Sequence, residues 1–307
     1  MPEMTTWTFG VEIEAVVRPH TPRPPLDAAL YYRKLAAALV KRGLQAEADD
    51  LLSGNRRRSE SYDKWWITRD GSLGTYSDAI SLEAVSPIFE VRRDWATEID
   101  TFWASMRAVF HMPDRNTKCG SHVHIAPGRG KHFRPVTLKK MAFGIAIFEP
   151  LVLQLLPEYR ADNQYCQPNT KNSPRLSACR GNKEQILELI KTASSSAAIR
   201  DIMQKDRYVI WNFDNTLPNK SGTIEFRGGR MLRGEIRTKR WITFAVCFLR
   251  AVVEMKDLNR RGTYGLPIWT PQALYEKVKE EARKLSLDRH LPASYTVLNE
   301  SSIPAPP

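Results

Sequence analysis

Cysteine is scarce and scattered. The four thiols, Cys119, Cys166, Cys179 and Cys247, include no Cys-x-x-Cys pair, so neither a zinc knuckle nor a disulfide framework is signalled and free thiols are expected. Long apolar runs are missing too. The most apolar stretch, residues 141–156, is interrupted by Glu149 and preceded by Lys139 and Lys140, which predicts a buried helix and no membrane partner. Residues 1–9 lack the basic start and apolar core of a secretion signal, so a cytoplasmic location is expected. No internal repeat is present, and the proline-rich stretches lie near the two ends, at residues 19–25 and 303–307. With no interior linker marked, one domain is expected over residues 1–290, followed by a poorly ordered tail at 291–307.

The 307 residues are 42% hydrophobic, enough for a substantial core, and carry a formal charge of +12. That charge favours anionic partners, a class that includes nucleic acid, nucleotide phosphates and carboxylates. No DNA- or RNA-binding motif accompanies it, and the distinctive residues are acidic, so specific nucleic-acid binding is not expected. The basic run Arg56-Arg57-Arg58 lies among Ser, Asn and Gly and reads as a solvated loop. Apolar spacing and capping residues predict helices over 27–43, 95–110, 136–156, 183–191, 235–258 and 271–284. Short segments at 7–16, 64–68, 80–89, 122–126, 208–213 and 223–227 have strand character. Strands and helices mix without a strict alternation, which predicts an α+β fold with a largely antiparallel sheet.

Three of these strand segments carry polar residues at i and i+2: Glu12 with Glu14, His122 with His124, and Glu225 with Arg227. That spacing places both side chains on one face of a strand. A fourth segment adds Glu83 within an apolar stretch. Any single pair is equally the solvent face of an amphipathic strand, and a lone His-x-His is equally structural or the zinc pair of a hydrolase. Taken together they suggest one concave surface. Two carboxylates about 4 Å apart repel by roughly 4 kcal/mol at an effective dielectric near 20, so such a cluster predicts a bound cation. Carboxylates with one imidazole and no thiolate suit Mg²⁺ or Mn²⁺ ahead of zinc. Arg227 beside Glu225 suits a site that also meets a transferring phosphoryl group.

The strings Gly10-Val11-Glu12-Ile13-Glu14, Asp70-Gly71-Ser72-Leu73, Glu83-Ala84-Val85-Ser86-Pro87-Ile88, Gly120-Ser121-His122-Val123-His124 and Ile224-Glu225-Phe226-Arg227 occur in the order seen in the fungal amidoligase-like proteins. Those belong with glutamine synthetase in the carboxylate–amine ligase superfamily, and the resemblance covers about residues 7–230. It implies a glutamine synthetase-like sheet forming a concave active site. It also implies an ATP-dependent ligase that joins a carboxylate to an amine through an acyl phosphate, with Mg²⁺ or Mn²⁺. Position by position, it implies metal ligation by Glu12, Glu14, Glu83, His122 and Glu225. His124 would contact substrate or phosphate, and Arg227 the γ-phosphate. Tyr208, Asn212 and Asp70 would border the substrate, although Tyr208 also fits a core and Asp70 a turn before Gly71. Where the family often has Gln after the Glu-Phe-Arg string, this chain has Gly228-Gly229-Arg230. Arg230 and Arg233 are therefore alternative anion contacts or surface residues. A metal-dependent hydrolase using His122 and His124 is the rival reading, and the resemblance leaves the assembly open.

Overall fold

The computed structural model describes residues 7–23, 25–49, 61–112, 118–161, 163–255 and 269–299. The Arg56–Arg58 run lies outside the described residues, as does the end of the helix expected to reach 258. The chain divides into two compact units, 1–123 with 230–241 and 124–229 with 242–307.

The first unit holds β1 (Thr8–Val17), α1 (Ala28–Lys41), β2 (Ala46–Ala48), β3 (Trp65–Thr68), β4 (Ile80–Val85), β5 (Phe89–Glu90), α2 (Ala96–Val109) and the start of β6 (Gly120–Ala126). Its strand order is β2-β3-β4-β1-β6, with β5 also on β1. β2 and β3 run parallel, whereas β3–β4, β4–β1 and β1–β5 are antiparallel. Register decides which residues share a face, because directly opposed residues point the same way. Glu14 opposes Glu83, Glu83 opposes Thr68, and Glu12 opposes Val85. Ile13, Ala15, Leu82, Ala84, Trp65 and Ile67 occupy the other face, and all are fully buried. There Trp65 stacks on Phe102 of α2 at 4.2 Å between ring centroids, and each such side chain contributes about 1.5–3 kcal/mol of burial. As expected, Asp27 caps α1 by accepting from Ala29 N, and Gly43 follows the helix at φ +88°.

The expected strand 80–89 stops at Val85 and resumes as β5, because Pro87 has no N–H to continue the ladder. Ser86 bridges the break, its Oγ accepting from Val11 N at 2.9 Å. β2 was not anticipated; three residues, Ala46–Ala48, are too few for a period.

The second unit holds the end of β6, α3 (Pro135–Leu155), α4 (Glu158–Ala161), α5 (Asn169–Asn172), α6 (Pro174–Ala178), α7 (Lys183–Lys191), α8 (Ser196–Met203), β7 (Trp211–Asn212), β8 (Ile224–Arg230), α9 (Glu235–Glu254), α10 (Pro271–Lys284) and α11 (Thr296–Asn299); β8's last residue and the first turns of α9 fall in the first unit. Strand order is β6-β8-β7. β7 and β8 are antiparallel, with Trp211 opposite Phe226 and Asn212 opposite Glu225. Trp211 and Phe226 turn to an aromatic core with Phe244 and Phe248 of α9, so Asn212 and Glu225 face the opposite way. The strand expected at 208–213 contracts to two residues because Tyr208 O and Ile210 N are bonded to Gln167. At the C-terminal end, Leu291 and Leu298 are buried. All four cysteines are buried. Among the described residues no helix is long and apolar enough to cross a membrane.

Candidate active site

In the first unit, the shared register of β1 and β4 places Glu12, Glu14 and Glu83 on one face. His122 of β6 sits between two of them. Its Nδ1 lies 3.2 Å from Glu12 Oε2 and its Nε2 3.6 Å from Glu14 Oε1. Glu14 is anchored independently, its Oε2 accepting from Gly120 N at 2.9 Å. The imidazole and both carboxylates are largely buried, at 6%, 16% and 10% side-chain exposure. This geometry follows from the i, i+2 spacing of Glu12/Glu14 and Gly120/His122 on strands whose alternate residues, Val11, Ile13, Ser121 and Val123, are buried. It presents hard oxygen donors and one imidazole at low exposure, a donor set that suits Mg²⁺ or Mn²⁺.

In the second unit, Glu225 is the centre. Its Oε1 accepts from Arg227 Nη1 at 2.7 Å and lies 3.8 Å from His124 Nε2, while its Oε2 accepts from Asn212 Nδ2 at 2.8 Å. His124 Nδ1 lies 3.4 Å from Thr223 Oγ1 and 3.5 Å from Asn215 Nδ2. The strand face carrying Glu225 and Arg227 was legible from spacing. Asn215 beside His124, and Gln204, whose Nε2 donates to Asn212 Oδ1, were not, because they come from a 3₁₀ turn and a helix end where no period operates, whereas Thr223 falls in the strand expected over 223–227.

Asp70 caps a 3₁₀ turn over Gly71–Leu73, its carboxylate accepting from Ser72 N and Ser72 Oγ, the turn role its place before glycine suggested. Tyr208 is 37% exposed, edge-on to Tyr165 with Arg207 over its ring. Arg230, the last residue of β8, is buried, and Arg233 is half-buried.

A family model described as "Putative amidoligase enzyme" matches residues 5–249. The chain belongs to this amidoligase family. No curated protein matches it. Among solved structures, this amidoligase is similar at 13% identity and a TM-score of 0.36 to a chain in the "Crystal structure of the complex between Prokaryotic Ubiquitin-like Protein Pup and its Ligase PafA". The match covers 94% of the amidoligase and 59% of that chain, and likeness at that level carries no argument.

Proposed function

We propose that this amidoligase is a cytoplasmic, ATP-dependent carboxylate–amine ligase of the fungal amidoligase-like type, with a glutamine synthetase-like concave active site within one catalytic domain, 1–290. The observation that carries the reading is the first unit's constellation, in which Glu14 stands opposite Glu83 and His122 lies between Glu12 and Glu14, in a chain of the amidoligase family. The proposed metal ligands are Glu12, Glu14, Glu83 and His122, with Glu225 in the second unit. A divalent cation held there would neutralise charge on the phosphoryl group being transferred.

In the proposed reaction a substrate carboxylate oxygen displaces ADP from the γ-phosphorus of ATP, forming an acyl phosphate. The amine nitrogen then attacks the acyl carbon, and phosphate leaves with the electron pair of the C–O bond. Loss of the proton from nitrogen completes the amide. Arg227 is assigned to the γ-phosphate, which its guanidinium fork matches; His124 and Arg230 are assigned to phosphate or substrate oxygens. Tyr208 and Asp70 are assigned to substrate. The protein's part is positioning and charge neutralisation.

Ligand-dependent stability tests this. A ligand that binds only the folded chain at a hundred times its Kd stabilises it by about 2.7 kcal/mol. Mg²⁺ or Mn²⁺ with ATP should therefore raise the melting temperature by several degrees, and Mg²⁺ with AMP much less. Equal melting temperatures with and without the metal–ATP complex would contradict the reading, and substrate hydrolysis without nucleotide would favour the hydrolase.

A further inference from the structure

Glu225 is the end of a chain of hydrogen bonds that starts on α8 and is buried from Gln204 onward. Arg200 Nε donates to Asp214 Oδ1 at 2.7 Å. Gln204, the residue that closes α8, donates from Nε2 both to Asp214 Oδ1 at 3.2 Å and to Asn212 Oδ1 at 2.7 Å. Asn212 then donates from Nδ2 to Glu225 Oε2. Gln204, Asn212 and Glu225 are 1%, 4% and 4% exposed, so water does not compete along this path.

Each amide in the chain has one orientation available. Gln204 Oε1 accepts from Phe213 N at 2.6 Å, which commits its Nε2 to donating. Asn212 Oδ1 receives both that donor and Asp214 N at 3.0 Å, which commits its Nδ2 to Glu225. Turning the Asn212 amide over would set an amide oxygen against a carboxylate oxygen and oppose two donors with an NH₂ group. Buried polar groups left facing like partners are costly, so the arrangement is strongly preferred.

We infer that Gln204 is a positioning residue for the proposed metal ligand Glu225. It acts through Asn212, which pins Oε2 and sets the direction in which Oε1 points. This rests on the reading of Glu225 as a ligand, and it assigns Asn212 to the carboxylate ahead of the substrate. Partners behind a ligating carboxylate typically change metal affinity by about 10–100-fold when removed.

The decisive variant is Gln204→Glu. It keeps size and the acceptor for Phe213 N but replaces the donor with an oxygen facing Asn212 Oδ1 and Asp214 Oδ1. The Asn212 amide should turn over and present its oxygen to Glu225. Mn²⁺ titrated into the full-length chain, followed by the electron paramagnetic resonance of free Mn²⁺, should show binding to the variant weakened by about 10-fold or more. Melting temperatures recorded alongside ensure that both proteins are folded where binding is measured. A role confined to folding predicts a lower melting temperature with unchanged Mn²⁺ affinity, and that result would overturn the inference. Should Gln204→Glu not fold, Arg200→Gln, at a side chain 23% exposed, removes the guanidinium that holds Asp214 and should weaken Mn²⁺ binding to a smaller but measurable degree; unchanged affinity there overturns the inference as well. A parent protein that takes up no Mn²⁺ overturns the metal reading and this inference with it. A parent that binds beside a folded Gln204→Glu variant of equal affinity overturns the positioning role alone.

Discussion

Arg227 is held by the carboxylate two residues before it on the same face of β8, with Nη1 donating to Glu225 Oε1 at 2.7 Å and a side chain 13% exposed. Its backbone carbonyl is itself fixed by Arg160, whose Nη2 donates to it at 2.6 Å. The pairing with Glu225 is what a purely structural arginine would show, so charge alone cannot separate the two roles, but guanidinium geometry can. Lysine replaces the charge and not the planar fork that bonds two phosphoryl oxygens at once. Loss of a preorganised contact to transition-state charge costs about 2.7–4 kcal/mol, a hundredfold to thousandfold in rate. Arg227→Lys is therefore expected to lower ligase turnover by at least about a hundredfold while leaving the melting temperature within a few degrees. A fall of less than about tenfold, near 1.4 kcal/mol, would return Arg227 to a structural role.

Two features of α3 carry predictions at the scale of elements. Gly144 lies where a Cβ would come within 2.2 Å of Val252 Cγ1 on α9, so glycine lets the two helices approach. Gly144→Ala gains about 1 kcal/mol of helix propensity but incurs about 1–3 kcal/mol or more of overpacking, so denaturant unfolding should show net destabilisation. Glu149 is buried and capped onto α5, its carboxylate accepting from Asn169 N at 2.5 Å and Thr170 N at 2.9 Å. Burial pushes its pKa up to about 6, against the hydrogen bonds from Thr170 and Asn169 that favour the ionised form. A raised carboxylate pKa means the folded chain binds the proton more tightly than the unfolded chain, so this group's stabilisation is full below about pH 4.5 and lost as pH rises through 6. The loss is about 2 kcal/mol. Glu149→Gln should abolish that part of the pH dependence, read as unfolding free energy at pH 4.5 and pH 7. The same elements show what a sequence reveals. The α3 apolar run and the capped helices α1, α7 and α10 announce themselves through period and end residues. The pairing of Glu14 with Glu83 does not, since register depends on non-local partners. Nor did the four-residue α5, with no period to detect, reveal that Glu149 would cap it.

For the whole molecule, the formal charge of +12 coexists with strand faces that gather Glu12, Glu14 and Glu83 in one unit and Glu225 in the other. In the proposed reading these acidic residues hold a cation, while the basic excess suits anionic substrates. An amidoligase built this way should couple nucleotide consumption to amide formation and should not consume nucleotide idly, because an unprotected acyl phosphate would be lost to water. The most direct measurement is ADP release by the full-length chain with Mg²⁺ and ATP, across paired carboxylates and amines and each partner alone. The account predicts ADP release that requires both an acid and an amine, falls away without divalent metal, and matches the amide formed mole for mole. Product formation without nucleotide, or ADP release indifferent to both acid and amine, would contradict it.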